Sequence, residues 1–180
     1  MSREIFTFSD PDRMIIGTVG QPGERAFFLQ VRSHDALRSF ALEKTQAAAL
    51  AVRCEEILKE ISAPNLLSLQ DNAPLDTPIE SEFTIGVMSL LWEAESSRLL
   101  LEAQSALDPL TEMVVDELLS DETEGAPPIL RIRFTVETAR SFIVRTHEVV
   151  AAGRAPCIFC GLPIDLTGHL CPRANGYRRR

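Results

Sequence analysis

The sequence predicts an α+β domain, a mostly antiparallel sheet of about seven strands with two or three helices on one face, followed by a short C-terminal segment of different character. Three observations predict it. Short apolar runs separated by turn residues fill the first 43 positions. Two longer stretches, after Glu43 and after Thr135, repeat apolar residues at helical spacing. Cysteine and arginine concentrate beyond Gly153.

Ile5, Phe6 and Phe8 form the first run, which Ser9-Asp10-Pro11-Asp12 ends because proline lacks a donor and aspartate favours turns. Met14 to Val19 is the second, closed by Gly20-Gln21-Pro22-Gly23. Ala26 to Arg32 is the third, rich in aromatic and β-branched residues, and Arg38 to Leu42 is a fourth. Connections this short predict an antiparallel meander. From Glu43 to Ser62 the period changes: Ala47, Leu50, Ala51, Cys54, Ile57, Leu58 and Ile61 share one helix face, which makes Cys54 a small buried hydrophobe.

Residues 63–81 contain Pro64, Pro74 and Pro78 and read as a long loop. Phe83 to Trp92 and Arg98 to Gln104 read as two strands joined by a hairpin over residues 93–97. Leu110, Met113, Val114 and Leu118 fit a short amphipathic helix, and an acidic loop follows over residues 121–125. Ile129 to Phe134 alternates apolar residues with Arg131 and Arg133, the pattern of a strand buried on one face. Thr135 suits an N-cap, Ala139, Phe142, Ile143, Thr146 and Val150 form the next helix face, and Gly153 is placed to end that helix in the left-handed conformation. The expected division is an α+β domain over residues 1–153 and a distinct segment over 154–180.

A chain of 180 residues can bury roughly 70% of the surface that its unfolded form exposes, so it can build a real core. With 45% hydrophobic and 24% charged residues, the composition is that of a folded globular protein. No stretch approaches the roughly 20 apolar residues that cross a bilayer, and no export signal opens the chain, so no membrane insertion and a cytoplasmic location are expected. The net charge of −8 argues against a general nucleic-acid binder. That total conceals an asymmetry: residues 151–180 hold five arginines and one acid, a balance of +4, which leaves −12 on the first 150 residues. The basic tail either lies on the acidic body or faces a partner.

The chemistry concentrates in Cys157, Cys160, His169 and Cys171. Two cysteines separated by two residues can place both sulfurs on one ion when the backbone turns back, and Gly161 permits that turn. His169 and Cys171 are one residue apart, so an extended backbone points both to the same side. A set of three thiolates and one imidazole matches tetrahedral zinc and leaves no open position, so the fold expectation is completed by a structural zinc knuckle. A redox pair of Cys157 and Cys160 is the competing reading. Elsewhere no nucleophile elbow, phosphate-binding glycine loop or paired histidine appears; His34 reads as solvated in a polar turn, and His147 as packed beside a helix's apolar face.

The chain resembles a family of actinobacterial proteins known only as a domain of unknown function. The resemblance runs over nearly the whole length. It is carried by Pro11-Asp12-Arg13, by residues 17–25 (GTVGQPGER), by Ala41-Leu42-Glu43-Lys44 and Glu102-Ala103-Gln104, and above all by Cys157 to Pro163, Gly168-His169 and residues 171–178 (CPRANGYR). It implies a neighbourhood of phosphate metabolism, from genes resembling a histidine phosphatase and a lipid kinase, and it implies no activity.

Two functions follow as expectations. The first is a zinc-stabilised binding or adaptor protein that presents Arg173, Asn175, Tyr177 and Arg178 to a protein or an anionic ligand. The second is an enzyme acting on a phosphorylated or anionic small molecule, with Arg13, Arg25, Lys44 or Arg173 as anion contacts. A pocket gathering those cations with a carboxylate would favour the enzyme.

Overall fold

The computed structural model describes residues 3–21, 23–64, 70–107, 126–153, 157–161, 164, 171 and 173. Among the described residues seven strands and two helices follow in the order β1 (Ile5–Ser9), β2 (Arg13–Val19), β3 (Ala26–Ser33), β4 (Ala36–Leu42), α1 (Lys44–Glu60), β5 (Ser81–Glu93), β6 (Arg98–Ser105), β7 (Ile129–Phe134) and α2 (Val136–Ala151). The helix expected over residues 110–118 and the acidic loop after it lie outside the described residues. Among the described residues no helix is long and apolar enough to cross a membrane.

The strands form one sheet in the order β1-β7-β6-β5-β4-β3-β2. Four of the six pairings are antiparallel, while β1 with β7 and β4 with β5 run parallel. The β4–β5 pair is parallel because α1 carries the chain back across the sheet, the kind of connection that parallel neighbours require.

The expected meander holds for β2, β3 and β4 but fails for β1, which pairs with β7 at the far edge. The reason lies in the link between β1 and β2. Asp10 adopts a positive φ of 47°, its amide donates to the carbonyl of Arg133 at 2.8 Å, and Pro11 has no amide to offer a ladder. The chain is therefore held to β7 as it leaves β1.

This connection also dictates the sheet's shape. Asp10, Pro11 and Asp12 alone join the two edge strands, a reach of about 15 Å at 3.8 Å per step. Flat, six strand spacings of about 4.8 Å would hold those edges about 29 Å apart. The sheet must curl, and its aromatic contacts show that it does. The Phe6 ring on β1 meets the Phe40 ring on β4 edge-on at 5.5 Å, and Phe40 meets Phe83 at 4.9 Å.

The inward rows make the core. Ile16, Leu29 and Phe40 are register partners across β2, β3 and β4, and Leu101 and Ile132 are partners across β6 and β7; all five are fully buried. Helix α1 adds Ala47, Leu50, Cys54, Ile57 and Leu58 to the same cluster, and α2 adds Ala139, Phe142 and Ile143. The two helices pack on each other, with α1 also against β3 and β5 and α2 against β2 and β6. Each fully buried Leu, Ile or Phe contributes about 1.5–3 kcal/mol through removal from water.

Both helices start as their sequences require. The Glu43 amide donates to Gln46 Oε1 at 2.8 Å, and Thr135 Oγ1 accepts from the Thr138 amide at 3.1 Å. The end of α2 departs from expectation: Gly153 is not left-handed, and the cap is Ala152, whose amide still bonds to Glu148 O.

Residues 70–78 pass over the opposite face of β2, β3 and β4 and are strapped there by side chains. Gln30, buried on that face, accepts from the Asp76 amide at 2.7 Å and donates to the Asp76 carbonyl at 2.9 Å. Arg13 grips Asp71 with two bonds of 2.6 and 2.9 Å and also donates to the carbonyls of Ala73 and Pro74. Arg145, from α2, donates to Asp71 and, at 2.8 Å, to the carbonyl of Ile16 on the edge strand β2. Leu75 presses so closely on Gly17 that a Cβ there would lie 2.5 Å from its side chain.

Candidate metal centre

α2 ends at Ala151 with Ala152 as its cap, and the cysteine-bearing segment is described from Cys157. Residues 158–160 turn, and the Gly161 amide closes that turn on the Cys157 carbonyl at 2.8 Å. Gly161 has a φ of +75°, a conformation that a side chain would strain, so glycine is the residue that lets the knuckle reverse.

The turn brings three sulfurs together. Cys157, Cys160 and Cys171 lie with their Sγ atoms all within 4.8 Å of one another, and Cys157 and Cys171 are separated by 3.7 Å. A disulfide would require about 2.05 Å, and the cysteines are free thiols. A tetrahedral ion with metal–sulfur bonds of about 2.3 Å sets sulfur–sulfur edges of about 3.8 Å, which the 3.7 Å pair matches. Three thiolates at this spacing could hold a soft or borderline metal ion.

The backbone prepares the first ligand. The amides of Phe159 and Cys160 point at Cys157 Sγ, the former at 3.4 Å, and hold this thiol below the ordinary cysteine range. The same orientation favours the thiolate, the form that binds metal. Cys157 and Cys171 are buried and Cys160 is partly so, whereas Ile158 and Phe159 at the tip are 89% and 58% exposed. Arg173 Nη1 donates to the Phe159 carbonyl at 3.2 Å, so this side chain reaches the tip.

Of the residues singled out by sequence, the structure brings together Cys157, Cys160, Cys171 and Arg173. His169, Asn175, Tyr177 and Arg178 lie outside the described residues. Cys54 is fully buried on α1 with its thiol pushed up to about 12 by burial, and it takes no part in the cluster. Replacing it with alanine is expected to leave metal content unchanged and to lower stability by about 1–2 kcal/mol, read as metal per chain and a denaturant midpoint.

The four cations considered as anion contacts do not converge. Arg13 is committed to the 70–78 loop, and Arg173 lies on the knuckle. Arg25 and Lys44 do share a shallow cleft, and among its described lining residues there is no carboxylate. His34 is exposed in the β3–β4 turn as expected. His147 is not packed in the core: it is exposed on α2, with Nε2 2.8 Å from Glu55 Oε1 on α1. Asp71, which joins Arg13 to Arg145, went unread because one aspartate in a proline-rich loop carries no local signal.

Fold and site together define an α+β domain with a C-terminal cysteine cluster of metal-binding geometry. The chain belongs to the family described as Protein of unknown function (DUF3090), whose model matches residues 6–171. Comparisons with curated proteins and with solved structures gave no match.

Proposed function

We propose that this is a binding or adaptor protein whose knuckle is built on structural zinc, with His169 completing the set of Cys157, Cys160 and Cys171. The observation that carries this reading is the spacing of the three sulfurs beneath an exposed apolar tip. A closed four-ligand set has no position for an activated water, so the metal's role is to staple a segment too poor in apolar residues to fold by itself. Free thiols suit a reducing compartment such as the cytoplasm.

Ile158 and Phe159 offer apolar area at the tip, and Arg173 begins a chain that continues to Asn175, Tyr177 and Arg178, supplying a fork of donors, an amide and an aromatic ring. This surface is where a protein partner is met. Truncation after Pro172 tests it in metal-loaded protein, by melting temperature and by identification of co-purifying proteins. An unchanged melting temperature with loss of a specific partner is the expected result. Lost stability with partners retained would make the tail a clasp on its own acidic body, and retention of both would place binding elsewhere.

A further inference from the structure

A second site lies away from the cysteines, where the β2–β3 turn, the start of α1 and the end of α2 meet. Gly23, Arg25, Phe27, Lys44, Val150 and Gly153 line a cleft of about 630 Å3 there, within the range of about 300–1,000 Å3 typical of small-molecule sites.

The cleft gathers two cations and, in its described lining, no carboxylate. Several arginines elsewhere on this acidic chain find carboxylates: Arg13 with Asp71, Arg53 with Glu56, Arg98 with Asp10, Arg131 with Glu102 and Arg133 with Glu93. Arg25 and Lys44 have no carboxylate partner among the described residues. The fold nevertheless places both on one cleft. Arg25 leads into β3 and Lys44 opens α1, and both line the cleft, where Lys44 Nζ lies 3.9 Å from the position a Cβ on Gly153 would take. Two cations gathered on one cleft with no carboxylate in its described lining attract an anion.

The groups are suited to a particular anion. Arg25 is held over the Phe27 ring at 5.5 Å, which orients its fork. Lys44 adds a point charge. A phosphomonoester carries about −1.5 to −2 charge near neutral pH with three acceptor oxygens, matching a fork and an ammonium together. Phe27 and Val150 give its organic part an apolar wall. We propose that this cleft binds a small phosphomonoester through Arg25 and Lys44. The described lining contains no His, Cys, Ser, Asp or Glu, and the proposal is one of binding.

Phenyl phosphate titrated into the metal-loaded full-length chain, followed by amide NMR shifts, tests the proposal. The expected result is saturable binding with shifts at Gly23, Lys44 and Gly153. Arg25→Gln and Lys44→Gln are each expected to weaken binding on the order of tenfold with an unchanged melting temperature. Succinate at equal ionic strength is the control, and binding as tight as that of phenyl phosphate would overturn the phosphate assignment. Absence of saturation, shifts confined to residues 173–180, or undiminished binding in the double variant would overturn the site. Should a variant fail to fold, the shift map of the unaltered protein decides.

Discussion

Protein purified without chelator is expected to carry about one zinc per chain, and a Cys157→Ser/Cys160→Ser double variant close to none. The expectation rests on the 3.7 Å separation of Cys157 and Cys171 and on the amides that stabilise the Cys157 thiolate. Structural zinc in small knuckles is worth about 10–16 kcal/mol of apparent binding energy at neutral pH, far more than so few apolar contacts supply. Chelation should therefore unfold the knuckle. The body has its own core of strand and helix residues and should keep its far-ultraviolet dichroism. Elemental analysis with thiol titration gives the measurement: three thiols become reactive as metal leaves, while Cys54 stays protected by burial. Metal near zero in the unaltered protein, or full metal in the double variant, would refute the centre. His169→Ala is the finer test, expected to weaken retention without abolishing it, since three sulfurs remain.

What was legible in the sequence was what is encoded locally. Helix α1 was readable because Ala47, Leu50, Cys54 and Ile57 repeat at its own period, and the burial of all four agrees. The cysteine cluster was readable because the turn that joins Cys157 to Cys160 is only a few residues long. The position of β1 was not readable, because Ile5 to Ser9 looks the same whether it pairs with β2 or with β7. That choice is made by the curl of the whole sheet and by Asp10, which binds the backbone of Arg133 and the side chain of Arg98. The cleft shows the same limit. Arg25 and Lys44 were named as anion contacts together with Arg13 and Arg173, and only the fold separates the two that share a cleft from the two that do not.

Asp71→Ala is expected to lower stability by about 3 kcal/mol, roughly 6–12 °C in melting temperature for a chain of this size. Arg13 and Arg145 have side chains only 9% and 8% exposed, and both direct guanidinium donors at Asp71, itself 29% exposed. Removing the carboxylate leaves two nearly buried cations facing each other without their shared anion, the situation in which losing one partner is most damaging. The comparison is Arg32→Ala, which removes a pair with Asp76 at a side chain 44% exposed and should change stability by less than about 1 kcal/mol. Acid gives an independent reading of the same carboxylate. The Arg13 guanidinium holds Asp71 below the usual carboxylate range against the opposing effect of partial burial, with the Ala73 amide and the charge of Arg145 adding to the depression. A folded value below the unfolded one means that the contribution is complete above the ordinary carboxylate pKa, about 3.9, and disappears as pH falls through the depressed folded value. The stability gap between the unaltered protein and Asp71→Asn should then be constant from neutral pH down to about pH 5 and narrow below about pH 4. A gap that stays constant down to pH 2 would show that Asp71 holds the loop through shape and backbone contacts, and that its charge contributes nothing.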